Sequence, residues 1–328
     1  MIAAPGRSGD VRRPDISVVV PVYNEEPGIA AFWARLSAVL DALACPAEVV
    51  FVDDGSSDAT LAQLLSLRHL DRRVRIVSLS RNFGKEIALT AGLDHADGEA
   101  VIPIDADLQH PPETIPRLVA AWHAGNDIVI ALRRDRTTDS LTRRAASSLF
   151  HRVFSHLTTV PMVPDAGDFR LMSRAVVDAL RRLPERTRFM KGLYAWVGFR
   201  QSTVAYDIEP RRAGRSKYGA WRLWRLAIDG VTSFSSLPLK VWSVVGLSFA
   251  LVALVYGAYL VVRTIVRGID VPGYASLMVI VLFLGGLQLL SLGIIGEYLG
   301  RVYDEVKARP LYIVRQRIGF DGDEPETS

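Results

Sequence analysis

The chain of 328 residues has one cysteine, Cys45. No disulfide can form within it, and a reducing compartment suits such a chain. The opening stretch MIAAPGRSGDVRRPD has no apolar core of signal-peptide length. Residues 1–14 read as a short disordered arm, and nothing in them is expected to direct export. No G-x-G-x-x-G follows the first apolar run and no Walker-type lysine loop occurs, which argues against a dinucleotide fold and a P-loop. No nucleic-acid-binding module is recognisable. Net charge is scarce too, formally +4, but it is unevenly spread. Residues 1–132 hold 11 Lys and Arg against 18 Asp and Glu, residues 133–225 hold 20 against 8, and residues 226–328 hold 8 against 9. The basic middle points to a nucleic acid, an anionic membrane surface or a phosphate-bearing substrate.

What is present begins with alternation. Ile16–Val20 is a continuous β-branched run ending at Pro21, as in a buried parallel strand. Pro27–Leu43 carries Ile29, Phe32, Trp33, Leu36 and Leu40 at helical spacing. Glu48–Val52 reads as a second strand, Ala59 to about Arg68 as a helix capped by Asp58, and Val74–Leu79 as a third strand. A helix over Glu86–Ala96, a strand over Ala100–Ile104, a helix from about Glu113 to His123 and a strand over Asp127–Leu132 complete the pattern. The fold class this implies is α/β, a doubly wound, mostly parallel sheet. Ligands in such sheets bind beyond the carboxyl ends of the strands.

The stretch VIPIDADLQHPPE, Val101 to Glu113, ends an apolar strand in Asp105 and Asp107. Residues two apart in an extended segment point to the same side, and two carboxylates facing one point repel each other unless a cation intervenes. Oxygen ligands suit Mg²⁺ or Mn²⁺, and Mg²⁺ so held takes its other ligands from water and substrate phosphates. A bare D-x-D is equally the mark of a solvated acidic turn; its neighbours decide. Two further strand ends carry polar clusters on the same edge, PVYNEE (Pro21–Glu26) and DDGSSD (Asp53–Asp58).

These three motifs, in this order on successive strand ends, closely resemble family 2 glycosyltransferases, whose nucleotide-sugar fold is called GT-A. The resemblance implies that Pro21, Tyr23, Glu25, Asp53 and Asp54 contact the base and ribose of a donor nucleotide. It makes Asp105 and Asp107 the metal–diphosphate site, Asp107 being catalytic, with Gln109 beside it. Lys85 in SLSRNFGKE and Arg133 in ALRRDR lie on the same edge and are expected to touch the donor, Arg81 and Lys85 either neutralising the diphosphate or lying over the nucleotide.

The C-terminal third decides what the basic middle meets. Val241–Val262 is free of charge, and so is Tyr274–Ile295; each is long enough to cross a hydrocarbon layer of about 30 Å. Flanking Arg and Lys place both termini and the catalytic domain on the cytoplasmic side, with a short loop outside. In Ser140–Leu157, Leu141, Ala145, Leu149, Val153 and Leu157 form one stripe. The stripe fits an ordinary packed helix, or an interfacial one whose Arg143 and Arg144 meet phosphate, which the adjoining spans favour. Trp221, Arg222, Trp224 and Arg225 also suit an interfacial zone. The expected organisation is a catalytic domain over 15–217, interfacial helices over 140–157 and 218–240, two transmembrane helices over 241–300 and a cytoplasmic tail over 301–328.

DAGDFRLMSRAVVDAL (Asp165–Leu180), PERTRFMKGLYAWVGFRQ (Pro184–Gln201) and RRAGRSKYG (Arg211–Gly219) resemble the polyprenyl-phosphate glycosyltransferases, bactoprenol glucosyltransferases foremost and dolichyl-phosphate mannose synthases more distantly. The resemblance implies an inverting membrane enzyme, an oligomer among its relatives, that moves a hexose from a nucleotide sugar to polyprenyl phosphate. UDP-glucose is the donor chosen on wording; UDP-GlcNAc, UDP-galactose, GDP-mannose and formamido-arabinose donors stay open. Asp168 is implied in the reaction centre, orienting a sugar hydroxyl or the attacking group. Arg143, Arg144, Arg170, Arg215, Ser216 and Lys217 are the expected phosphate and acceptor contacts. An inactive scaffold would need a damaged DADLQ motif, which is intact. A processive synthase would need a Q-x-x-R-W-type signature, which is absent.

Overall fold

The computed structural model describes residues 14–134, 163, 166–186, 188, 190–207, 237–267 and 273–320. The apolar runs become β1 (Ile16–Val22), β2 (Ala47–Asp53), β3 (Val74–Leu79), β4 (Ala100–Pro103) and β5 (Ile128–Arg133). Between them lie α1 (Glu26–Leu43), α2 (Thr60–Leu70), α3 (Lys85–His95) and, after a 3₁₀ turn over Pro112–Thr114, α4 (Ile115–His123). There follow β6 (Arg170–Ser173), α5 (Arg174–Arg181), α6 (Met190–Trp196), β7 (Gln201–Tyr206), α7 (Leu237–Arg267), α8 (Tyr274–Lys307) and β8 (Val314–Ile318). All eight strands join one sheet in the order β7-β5-β6-β4-β1-β2-β3-β8. β6 runs antiparallel between β4 and β5, and β8 antiparallel on the β3 edge; the other pairings are parallel.

Strand alternation divides the core into two layers. Val18 and Val20 pack with Ile29, Phe32 and Leu36 of α1 and Leu64 of α2, while Val19 packs with Leu89 and Leu93 of α3. Fully burying one such side chain contributes about 1.5–3 kcal/mol. The α3 layer sits close because Gly92 has no side chain: a Cβ there would lie 2.2 Å from Cγ1 of Val19. The cap expected at Asp58 is shifted: α2 has Ala59 at its cap position with no side-chain cap bond, and Asp58, one residue earlier, accepts the Thr60 N–H at Oδ1 at 3.0 Å.

Three further features depart from expectation. The strand before the acidic pair stops at Pro103, so Asp105–Asp107 lie in a turn rather than an extended segment. β6 inserts antiparallel, which brings its first residues, not its last, to the edge carrying the carboxyl ends of β4 and β5. Residues expected to form a tail instead dock: β8 completes the sheet, Tyr312 Oη donates to Asp94 Oδ2 at 2.9 Å, and Phe320 packs edge-on to His95.

α7 and α8 are helices of 31 and 34 residues. Among the described residues one stretch, Phe283–Lys307, is long and apolar enough to cross a membrane, with mean hydropathy 1.3; Val244–Tyr259 is apolar but shorter. The count is thus one where two were expected. The expected interfacial stretch over 140–157 lies outside the described residues, as do residues 218–236 of the one over 218–240 and residues 1–13 of the arm over 1–14; residues 237–240 begin α7.

Candidate active site

The carboxyl ends of β1, β2 and β4 and the start of β6 converge on one rim. At its β1–β2 end, Asn24 (φ 52°) folds its side chain toward the DDGSSD turn, where its Oδ1 accepts the Ser57 N–H at 2.9 Å. Asp53 Oδ1 accepts the Ser56 N–H at 3.0 Å and Oδ2 the Ser78 hydroxyl at 3.0 Å. Asp54 accepts two backbone N–H groups, from Phe83 at 2.7 Å and Gly84 at 2.9 Å. Burial pushes the Asp54 carboxyl up, and these two N–H groups hold it back. Gly55 is required between them: its φ is +69°, and a Cβ would lie 2.5 Å from the Arg81 carbonyl carbon.

At the β4–β6 end one lysine ties three elements. Nζ of Lys85, the first residue of α3, lies 2.7 and 2.8 Å from the two oxygens of Asp105 and 3.0 Å from Asp168 Oδ2. The lysine stem is 41 % exposed, while the Asp105 and Asp168 side chains are 24 % and 13 % exposed. Burial works to lower the lysine, but the two carboxylates outweigh it and push Lys85 well above its ordinary value. Conversely burial works to raise Asp168, and Lys85 and Lys191 outweigh it, holding Asp168 below the usual carboxylate range. Asp168 Oδ1 is shut off from solvent with no hydrogen-bond partner among the described residues. His110 stacks on Phe169 (5.2 Å between centroids, 29°) with Nδ1 3.7 Å from Asp105 Oδ2, and burial pushes it below its ordinary value.

The turn after β4 exposes its carboxylates by a different route from a pleat. Ala106 and Leu108 are buried at 3 % and 6 %, Asp105 and Asp107 are half-buried, and Leu108 takes φ 61°. Asp107 Oδ1 accepts the Gln109 N–H at 3.0 Å. The Lys85 ammonium is seated on Asp105 and Asp168, and carboxylate oxygens are the donor type that suits Mg²⁺ or Mn²⁺. Among the described residues no three His, Cys, Asp or Glu side chains gather to hold a metal, so an ion here would need water and diphosphate oxygens as well.

Comparison with known proteins adds to this geometry. The profile of glycosyl transferase family 2 matches residues 17–181, and that of the GtrB C-terminal hairpin matches residues 237–302. The chain belongs to glycosyltransferase family 2. It is 54 % identical over 307 residues to the uncharacterized glycosyltransferase sll0501 of Synechocystis sp., covering 94 % of this chain and 96 % of that one. It is 48 % identical over 301 residues to the SfII prophage-derived bactoprenol glucosyl transferase of Shigella flexneri, covering 92 % and 97 %. Identity to the prophage bactoprenol glucosyl transferase homolog of Escherichia coli K12 is 46 % over 301 residues, covering 92 % and 98 %.

In this glycosyltransferase the structure brings Lys85, Asp105 and Asp168 into contact, with Asp107, Gln109 and, at the end of β5, Arg133 on the same edge. Asp53 and Asp54, expected to touch base and ribose, are 2 % and 3 % exposed and engaged in holding the surrounding loops; Tyr23, 46 % exposed, faces solvent beside them. Glu25 sits at the start of α1, its N–H bonded to Thr60 Oγ1 at 3.0 Å, and Pro21 lies within β1. Arg170 departs from its expected place at the acceptor phosphate. It is 3 % exposed, stacked 3.9 Å over the Tyr194 ring and bonded to the Gly167 carbonyl, because the antiparallel β6 turns it into the α6 layer. Arg143, Arg144, Arg215, Ser216 and Lys217 lie outside the described residues. Three residues at the site received no role from the motifs: His110, Glu86 and Tyr194. His110 was within DADLQHPPE, where its chemistry was a signal; Glu86 and Tyr194 look like ordinary helix residues until the fold closes over them.

Proposed function

We propose that the chain transfers glucose from UDP-glucose to polyprenyl phosphate at a membrane, forming a lipid-linked sugar. The observation that carries this is 48 % identity along 92 % of the chain to a bactoprenol glucosyl transferase, joined to a rim where Lys85, Asp105 and Asp168 meet. The acceptor phosphate is already anionic near pH 7, its second pKa being about 6, so its oxygen needs no strong base to attack the anomeric carbon. Alignment and stabilisation of the departing diphosphate are what the protein must supply.

In this reading Asp105 and Asp107 hold Mg²⁺ or Mn²⁺, which when bound neutralises charge on the leaving diphosphate. Lys85 keeps Asp105 and Asp168 in register, and Asp168 offers its unpartnered oxygen to a sugar hydroxyl or the incoming group. Tyr23 lies along the nucleotide on loops held by Asp53 and Asp54, with Pro21, Glu25, Gln109 and Arg133 lining the same donor cleft. Arg143, Arg144, Arg215, Ser216 and Lys217 hold acceptor or donor phosphate. A single attack from the face opposite the diphosphate inverts the anomeric centre, giving a β-linked product from the α-linked donor.

The membrane part of the proposal is a two-helix hairpin of α7 and α8, joined to the catalytic domain by interfacial stretches over 140–157 and 218–240. Its support is topological. β8 follows α8 yet pairs with β3, so the chain between β7 and β8 crosses a bilayer an even number of times if it crosses at all. Large side chains along both helices lie open, Leu247 at 72 %, Leu254 at 71 % and Leu289 at 71 %, and lipid is their natural cover. The test is to incubate membranes containing the protein with undecaprenyl phosphate and a panel of radiolabelled nucleotide sugars, then count the organic phase. Label from UDP-glucose should dominate. Label from another sugar would overturn the donor assignment, and none from any sugar would overturn the acceptor.

A further inference from the structure

We infer that Glu86 is a positioning residue of the donor site, whose neutral carboxyl permits the anionic donor beside Lys85 and whose charged form opposes it. This rests on the glycosyltransferase reading above. Glu86 follows Lys85 in the first turn of α3, and the Met190 N–H at the start of α6 pulls its carboxyl toward the charged form. Its Oε2 is shut off from solvent and has no hydrogen-bond partner among the described residues. A buried carboxylate oxygen left unpartnered is costly, whereas a neutral carboxyl is tolerated. Asp168 stands nearby with its own unpartnered Oδ1.

The charged and titratable groups acting on this cluster come from every element packed on it: Lys85 from α3, Asp168 from the approach to β6, Arg170 from the start of β6, Lys191 and Tyr194 from α6. Burial, then Asp168, pushes the Glu86 carboxyl up to about 7, against the pull of Lys85 and Lys191. Near neutral pH the group therefore stands between its two forms. Losing the proton adds a negative charge next to the lysine that offsets Asp105 and Asp168, and the donor brings two more phosphate charges to the same corner. Donor affinity should fall as pH rises through the Glu86 titration. A purely structural role, pinning Met190, would not vary with pH and is retained by glutamine.

Binding of UDP-glucose to the full-length protein in detergent with Mg²⁺, followed by calorimetry at pH 6, 7 and 8, tests this, because the donor diphosphate does not titrate in that window. If only the neutral form binds, the wild-type Kd rises about tenfold from pH 6 to 8, while Glu86→Gln stays flat. Lys191→Met removes a cation that favours the charged form, so its midpoint moves to higher pH; this variant carries the test should Glu86→Gln not fold. A pH-insensitive wild type, a Glu86→Gln profile that rises like wild type, or an unmoved midpoint in Lys191→Met overturns the inference alone. No UDP-glucose binding by wild type at any pH overturns the donor assignment and the inference together.

Discussion

Replacing Lys85 with methionine keeps the aliphatic stem and removes the ammonium that joins Asp105 to Asp168. Three oxygens, at 2.7, 2.8 and 3.0 Å, lose their partner. An exposed ion pair contributes about 0.2–1 kcal/mol, and stripping one partner from a buried pair costs about 3–5 kcal/mol. With the lysine 41 % exposed and its partners 24 % and 13 % exposed, solvent screens part of the repulsion, and the cost should fall between, at about 2 kcal/mol. For a domain of this size that lowers Tm by about 4–8 °C. A divalent cation can replace the lost charge, so Mg²⁺ should raise the Tm of Lys85→Met more than that of wild type, and EDTA should cancel the difference. Thermal unfolding followed by tryptophan fluorescence, with and without Mg²⁺, reads both effects. An unchanged Tm, or a lowered one indifferent to Mg²⁺, would show that the two carboxylates do not form a common cation corner.

Asp107→Asn should reduce sugar transfer at least about a hundredfold with the fold intact; transfer into the organic phase and circular dichroism check this, and activity near wild type would remove Asp107 from the site. Gly55→Ala must place a Cβ 2.5 Å from the Arg81 carbonyl carbon at φ +69°. It should cost about 2–4 kcal/mol in urea unfolding and raise KM for UDP-glucose. Glu86 has a folded pKa of about 7 above its ordinary 4.5, so its folded form binds the extra proton between those values. Wild type should lose about 2–3 kcal/mol of stability relative to Glu86→Gln as pH rises from 4.5 to 7, with the loss levelling off by about pH 8. Unfolding free energies of both proteins at pH 4.5, 6, 7 and 8 measure it.

Parallel strands were legible because they are buried on both faces and read as continuous runs such as ISVVV and VVFVD, so β1 to β5 follow the sequence within about two residues at each end. The motifs at their carboxyl ends were legible for the same reason: once the strands are parallel, their ends share an edge. β6 was not, since four residues, RLMS, carry no usable period and nothing local sets their direction. That direction decides Arg170, which faces α6 rather than a phosphate, and places Asp168 at the rim. β8, VRQRI, alternates as an edge strand does, but its partner lies more than two hundred residues earlier and no local pattern names it. Glu86 was hidden differently: an acid in a first helical turn is ordinary, and only tertiary closure by α6 shuts its Oε2 off from solvent.

Only residues 308–313 separate the end of α8 from β8, and β8 begins opposite Leu79, the last residue of β3. At about 3.5 Å per residue that leash reaches about 20 Å, and the Glu305 carboxylate shortens it further by accepting the Arg186 N–H at 3.1 Å. The strand end it grips belongs to the same rim as Asp54 and Lys85. A long, slack linker would let the sheet roam relative to the helix. This one keeps that margin at a set height over the end of α8.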